Sequence, residues 1–360
     1  MAVIGNLTIS SFRGIRNLTV DKLGPINLIV GDNNSGKTSV LEALELLSGG
    51  GIANIYRTAR QRESLYGPNT SSIYEAFISM FPKTEDVLEI GISSDIDSVP
   101  VSYSVRGRES KILLDAADFR RSTARPFSQT ETDAFDGVIE YGKGGTRKRE
   151  DIHLTRYSSA SGTAVSSENG LKIAYVSPFE HLMGNTISTI VKNQGYKEIC
   201  LRALQLFDPD ITDMMIFRSD AGDRPVEYLR HRKLGAMPLS TYGDGIKKVL
   251  VLANAVACCA EGGILLIDEI ETAIHKKYYD DIFRFIVKAC RAFSVQAFFT
   301  THSIEAIDGL LQTQDYPNQT DTDDIMVVTL RRENNRTYSR VMTGRTVLQN
   351  REAFNFEVRL

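Results

Sequence analysis

The sequence predicts an α/β fold: a mixed, mostly parallel sheet covered by helices, with a β-rich lobe and a helical insertion. Three observations lead there. Ile26 to Gly50, INLIVGDNNSGKTSVLEALELLSGG, passes from strand formers through a glycine-and-asparagine turn into an apolar pattern at helical spacing. From Ser240 onward helices and strands alternate, as they do over a covered parallel sheet. Between about Ile55 and Val176 the pattern is strand-like and broken by Gly, Ser and Asp, which makes a lobe of its own.

In chain order, residues 1–30 alternate with period two and break at KLGP, giving two strands and a turn. The lobe follows, with DVLEIGISS, VPVSYSV and AFDGVIEYG as strands and Ser158 to Gly170 as a polar low-complexity loop. A strand LKIAYVSP leads into a helical region from about Phe179 to Phe207, where Ile187, Ile190, Val191, Leu201 and Leu204 recur at three and four. That region is too short for an extended coiled coil. From Ser240 the order is helix, strand GGILLIDE, helix YYDDIFRFIVKACRAF, strand VQAFFTT, helix, strand DDIMVVTLRR, then a last strand and helix. The expected division is 1–178, carrying the loop and the β-rich lobe; 179–237, the helical insertion; and 238–360, the second half of the sheet. No internal repeat is evident.

With 360 residues, 42% of them hydrophobic, the chain can bury a real core. The net charge of −3 supplies no global field for nucleic acid, so any such contact must be local. Basic clusters stand at RTARQR, DFRRSTAR, TRKRE, YLRHRK and LRRENNR, and each reads first as a solvated face. Cys200, Cys258, Cys259 and Cys290 form no CxxC pair and fit reduced, buried thiols. The first residues lack the charged start and apolar block of a signal peptide, and the most apolar segment is broken by Asn254, Glu261 and glycines. A cytoplasmic chain with no membrane role is expected.

The turn GDNNSGKT satisfies GxxxxGK[ST] between a strand and a helix, the context in which backbone N–H groups cradle phosphates. Lys37 can reach the β- and γ-phosphates of a nucleoside triphosphate, and the Thr38 hydroxyl can bind Mg²⁺. Gly36, with Asn33, Asn34, Ser35 and Ser39, completes the candidate cradle. Asp268 ends the aliphatic strand GGILLIDE, where a second metal-positioning carboxylate belongs, and Glu269 stands next to it as candidate general base. His302, in FFTTHS at the end of another apolar strand, would lie beside that strand end and reach the γ-phosphate. LSTYGDGIKKVL is a second anion-ready helix start; since one phosphate loop needs one cradle, Ser240, Gly243, Asp244 and Gly245 suggest service to the nucleotide of a second molecule. DTDD at Asp321 to Asp324 superficially resembles a metal-binding DxD but sits in a polar loop.

The order of these motifs resembles an ABC-type ATPase head of the branch that includes RecF and the SMC proteins, with greatest likeness to the ATPase part of the OLD (overcoming lysogenization defect) nucleases. FRGI at Phe12 to Ile15, INLIVGDNNSGKT, STYGDGIKKVL, GGILLIDEIETAIH, TTHS and NFEVRL carry it. The resemblance is strong over about 1–50 and 238–305 and weak across the middle. It implies a P-loop NTPase fold in which two heads pack head to tail around two ATP molecules with Mg²⁺. It also makes Arg13 and Asn33 nucleotide contacts, Ser240, Gly243 and Gly245 a signature loop reaching the partner's γ-phosphate, and Glu271 to His275 a loop between the two sites. The departures are an insertion-like difference in LSTYGDG, which leaves open whether Ser240 or Asp244 faces the phosphate, and no placeable Q-loop glutamine, with Gln61 and Gln129 as candidates. Fewer than 60 residues follow His302, too few for a Toprim nuclease domain.

Two functions follow as expectations. One is an ATP-switched homodimer or higher oligomer that regulates or scaffolds a separate effector, a nuclease, in bacterial anti-phage defence. The other is a RecF-like DNA-repair ATPase that binds DNA directly. A nucleotide sensor without hydrolysis is disfavoured by Glu269, and a transporter ATPase by the absence of any coupling surface.

Overall fold

The computed structural model describes residues 4–62, 72–82, 87–114, 130–158, 170–182, 190–218, 225–314, 325–334, 336–354 and 356–359. Leu7–Phe12 (β1) and Ile15–Val20 (β2) form a hairpin, and Ile26–Val30 (β3) follows. The first 30 residues therefore hold three strands where the alternation suggested two. Arg13 adopts φ 50 and turns the chain between β1 and β2, a break that a non-glycine residue does not advertise.

After the GDNNSGKT turn come helices Lys37–Leu46 (α1), Gly51–Arg60 (α2) and Ile73–Ile78 (α3). The strands of the lobe begin only at Leu88, so α2 and α3 occupy its expected start. Polar residues at buried positions hide the helical period in α2: Asn54 and Thr58 are fully buried there. Leu88–Ile96 (β4), Val99–Leu114 (β5), Thr130–Lys143 (β6) and Thr146–Thr155 (β7) then extend the β1–β2 hairpin into an antiparallel sheet of order β2-β1-β4-β5-β6-β7. Ile173–Val176 (β8) returns to the other sheet.

Beyond β8 lie a short 3₁₀ turn at Glu180–Leu182 and helix Gln194–Gln205 (α4), which is N-capped by the Asn193 side chain. The rest of the expected helical insertion is not helix. Ile211–Arg218 (β9), Pro225–His231 (β10) and Gly235–Pro238 (β11) make a small antiparallel sheet of order β11-β10-β9. Its inner face is carried by Ile211, Met214 and Leu229, all fully buried; the helical spacing ends at about Phe207 and does not extend to these residues.

The second half supplies Asp244–Cys258 (α5), Ile264–Ile267 (β12), Tyr279–Ala292 (α6), Gln296–Thr300 (β13), Ile304–Leu311 (α7), Ile325–Glu333 (β14), Arg336–Thr343 (β15) and Gly344–Phe354 (α8). The main sheet runs β15-β14-β3-β13-β12-β8, parallel except for the edge strand β15. β3, β12 and β13 are buried at every position, as interior parallel strands must be. Their side chains alternate between two cores: Leu28, Leu265 and Phe299 face the one under α5 and α6, and Ile29, Leu266 and Phe298 face the one shared with α1 and the antiparallel sheet. Cys200, Cys259 and Cys290 are buried, whereas Cys258 is exposed; all four are free thiols. Among the described residues no helix is long and apolar enough to cross a membrane.

Gln296, fully buried at the start of β13, accepts from the Ile4 N–H (2.8 Å) and donates to the carbonyls of Ile4 (3.0 Å) and Gly24 (2.8 Å). One amide thus pins the N-terminal hairpin to the main sheet. Gln296→Ala orphans the buried Ile4 N–H and carbonyl, while the Gly24 carbonyl keeps its bond from Asn27 (2.8 Å), and should lower stability by about 2–4 kcal/mol. Urea unfolding checks this, and a loss below about 1 kcal/mol would mean that other groups take over the bonds.

Candidate functional site

The site is built where β3 stops. Gly31 (φ 145) turns the chain out of the sheet; a Cβ there would lie 2.3 Å from the Leu330 carbonyl oxygen, so only glycine fits. The loop returns through Asn34 (φ 64) and Gly36 (φ 102) into α1, whose start has no side-chain cap. Its first N–H groups face a cavity of about 250 Å³. Ser35 Oγ is buried there without a hydrogen-bond partner.

The cavity is lined by Arg13–Ile15, Asn33–Ser39, Arg62, Asp268, Glu269, Arg332 and Thr337. It gathers Arg13, Asn33, Asn34, Ser35, Gly36, Lys37, Thr38, Ser39, Asp268 and Glu269 of the residues singled out from the sequence. Lys37 Nζ donates to the carbonyls of Gly31 (2.8 Å) and Asp32 (2.9 Å). Burial pushes its ammonium below the usual lysine range, and Asp268 and Glu269 pull it back up. An uncapped helix start, a partnerless buried hydroxyl and a partly desolvated ammonium are a donor set that fits a phosphate chain.

At one end of the cavity the Thr38 hydroxyl donates to Asp268 (3.0 and 3.2 Å). Asp268 also accepts from Thr300 Oγ1 (2.5 Å) and Tyr175 OH (3.3 Å), while Thr300 Oγ1 accepts the Glu269 N–H (2.8 Å). A hydroxyl and a carboxylate in contact, both oxygen donors, could together hold a hard divalent cation. Glu269 is held at φ 48, an uncommon conformation, and its carboxylate accepts from Thr272 Oγ1 (3.2 Å).

His302 Nδ1 lies 3.4 Å from Glu271 Oε1 and 3.9 Å from Glu269 Oε1, and its N–H donates to Glu271 (3.2 Å). Arg359, paired with Glu357, donates to the His302 carbonyl (3.1 Å), so the NFEVRL segment reaches the histidine. His302 is not among the residues lining the cavity. Nor are Ser240, Gly243, Asp244 and Gly245. Ser240 and Gly243 are exposed, and α5 starts at Gly243 with no side-chain cap from Ser240 or Asp244; Asp244 pairs instead with Lys247 (3.2 Å).

Several residues went unread in the sequence. Glu42, fully buried on α1, accepts from Arg13 (2.6 and 3.1 Å) and from Arg62 (two bonds of 2.7 Å), and Arg62 also donates to Ser39 (2.8 Å). Arg62 and Arg332 thus belong to the cavity wall, not to the solvated faces assigned to RTARQR and LRRENNR. The available signal was an acidic residue inside the buried stretch VLEALEL. Gln61 donates to Glu45 and does not line the cavity; Gln129, DFRRSTAR and Asp321–Asp324 lie outside the described residues.

Among the described residues, Asp208, Asp210 and His231 have metal-ligand spacing. The ring argues otherwise: His231 Nδ1 accepts the N–H groups of Lys233 (3.1 Å) and Leu234 (3.2 Å), which leaves the proton on Nε2 facing Asp208 at 3.3 Å. Asp210 is engaged by Lys233 (2.6 Å). The cluster is an ion-paired turn.

A family profile described as "AAA domain, putative AbiEii toxin, Type IV TA system" matches residues 26–308, well over half of the chain. The chain belongs to this family. This AAA-domain protein is an ATPase, and its fold is that of the ABC-type heads of the RecF and SMC kind. It is 23% identical to an ATP/GTP phosphatase of Helicobacter pylori over 88% of this chain and 91% of that one. It is 28% identical to the DNA replication and repair protein RecF of a Marinomonas species, over 31% of this chain and 29% of that one. An Smc head domain from Pyrococcus furiosus, solved with an extended coiled coil and bound to the C-terminal domain of ScpA, superposes with a TM-score of 0.54 at 11% identity, covering 99% of this chain and all of that one.

Glu42 holds two arginines at the cavity wall from a position with no solvent access. Glu42→Ala leaves Arg13, itself nearly buried, without its counter-charge and should cost about 3–5 kcal/mol of stability, with Glu42→Gln intermediate. Urea denaturation curves of the two variants check the order, and equal stabilities would overturn the pairing.

Proposed function

We propose that the cavity binds ATP with Mg²⁺ and that hydrolysis switches a head-to-tail pair of chains between closed and open states. The observation that carries the first half is the Thr38–Asp268 contact of 3.0 Å beside the uncapped start of α1. In this reading the α1 N–H groups, Asn33, Asn34, Ser35, Gly36 and Ser39 cradle the phosphates, Arg13 flanks them, and Lys37 leaves the Gly31 and Asp32 carbonyls for the β- and γ-phosphates. Thr38 and Asp268 hold the metal, which when bound neutralises phosphate charge. Glu269 takes the proton of the attacking water, and His302, steadied by Glu271 and Arg359, touches the γ-phosphate.

The second half rests on α5. Its start is exposed, carries no side-chain cap and lies away from the cavity, which supports its serving a nucleotide held by a second chain. In a head-to-tail pair Ser240, Gly243, Asp244 and Gly245 would reach the partner's nucleotide. The head domain of Pyrococcus furiosus bound to ScpA supports a separate protein partner, and the role in bacterial anti-phage defence rests on the OLD resemblance. We take that partner to be an effector nuclease, in line with the OLD resemblance. The partial identity to RecF supports a second reading in which the closed pair binds DNA directly; a steep salt dependence of ATP-stimulated DNA binding would favour it.

Glu269→Gln should keep ATP bound while slowing turnover by roughly 10²-fold or more, because it removes the base and leaves Thr38 and Asp268 in place. Phosphate release and equilibrium ATP binding on the same protein check both halves, and wild-type turnover would exclude Glu269 as the base.

Ser240→Arg and Lys37→Ala have opposite defects in a two-chain site. Each alone should lose hydrolysis, and mixing them should restore part of it, since one of the two sites in the heterodimer has both an intact Lys37 and an intact Ser240. Normal hydrolysis by a monomeric Ser240→Arg protein would sink the two-chain mechanism.

A further inference from the structure

We infer that the end of the cavity opposite Asp268 is a nucleobase seat formed by Gly14, Arg332 and Thr337, an inference that rests on the cavity being a nucleoside triphosphate site. Sheet order sets the two ends apart. Asp268 follows β12, which is separated from β3 by β13, whereas Arg332 lies on β14, directly against the other side of β3. The Thr38–Asp268 contact fixes the metal and terminal-phosphate end, so a triphosphate cradled by Asn33–Ser39 delivers its nucleoside toward β14.

What stands there is suited to a base. Arg332 and Thr337 are directly paired across the β14–β15 hairpin, and both line the cavity. The Arg332 guanidinium lies against the β1–β2 turn at Gly14, where a Cβ would sit 3.2 Å from Nη1. The missing side chain lets a planar cation rest on the backbone and offer a surface for ring stacking. Thr337 is 3% exposed, and its Oγ1 has no hydrogen-bond partner. A buried hydroxyl without a partner is costly, and a ligand edge reaching it would satisfy it. A hydroxyl both donates and accepts, so it can meet the amino group of adenine or the carbonyl of guanine. Arg332 and Thr337 therefore seat either purine, and the site discriminates weakly between ATP and GTP.

The test is titration calorimetry with Mg²⁺ and three probes: ATP, GTP and inorganic tripolyphosphate, which has phosphates and no base. Arg332→Ala should weaken ATP and GTP by about tenfold while tripolyphosphate stays within about twofold. Arg332→Lys, which keeps the charge and loses the plane, should behave like the alanine variant. Thr337→Val, nearly the same shape, should weaken both nucleotides by about threefold or more and leave tripolyphosphate unchanged. Equal weakening of tripolyphosphate would make Arg332 a phosphate contact and overturn the seat. So would unchanged nucleotide affinity in Arg332→Ala and Thr337→Val proteins whose circular dichroism is native. Wild-type protein that binds neither ATP nor tripolyphosphate would instead overturn the triphosphate reading itself, and the seat with it.

Discussion

Asp268 accepts hydrogen bonds from hydroxyls that arrive on separate elements: Thr38 on α1, Thr300 on β13 and Tyr175 on β8. A carboxylate this deeply buried is unfavourable unless its oxygens are satisfied, and these donors satisfy them. The same contacts set the spacing between the phosphate loop and the strand ends beside it. Thr300 also receives the Glu269 N–H, so the group that holds one carboxylate fixes the backbone of the next. Replacing the Thr300 hydroxyl would disturb both acids together.

A second buried carboxylate organises the arginines of the cavity wall. Glu42 draws Arg13 from the β1–β2 turn and Arg62 from the end of α2 onto α1, which brings the antiparallel lobe and the parallel sheet to one cavity. Acids and bases consequently share the cavity wall: Asp268 and Glu269 after β12, with Arg13, Lys37, Arg62 and Arg332 around them.

The main sheet and the phosphate loop were legible because each motif has a local cause: interior parallel strands read as continuous apolar runs, and the GxxxxGK[ST] turn needs its glycines and lysine at fixed spacing. The pairing of Asp268 with Thr38 was also within reach, since both follow from that motif logic. What escaped was set by tertiary contact. Nothing near Arg62 or Arg332 in sequence says that a buried Glu42 or a bare Gly14 waits for them. Asn54 and Thr58 masked α2 because buried polar residues erase the apolar period, and the β9–β11 sheet was missed because the helical spacing that ends at about Phe207 was extended over it.

The alternation of β3, β12 and β13 between two cores has a thermodynamic consequence. Leu28 cannot leave its core without carrying Ile29 out of the other, and Phe299 and Phe298 are bound in the same way. The strands act as a shared wall, so the antiparallel lobe and the helical layer cannot melt separately while that wall stands. Amide protons on β3 and β13 then exchange only through global opening, and they report the stability of the whole chain.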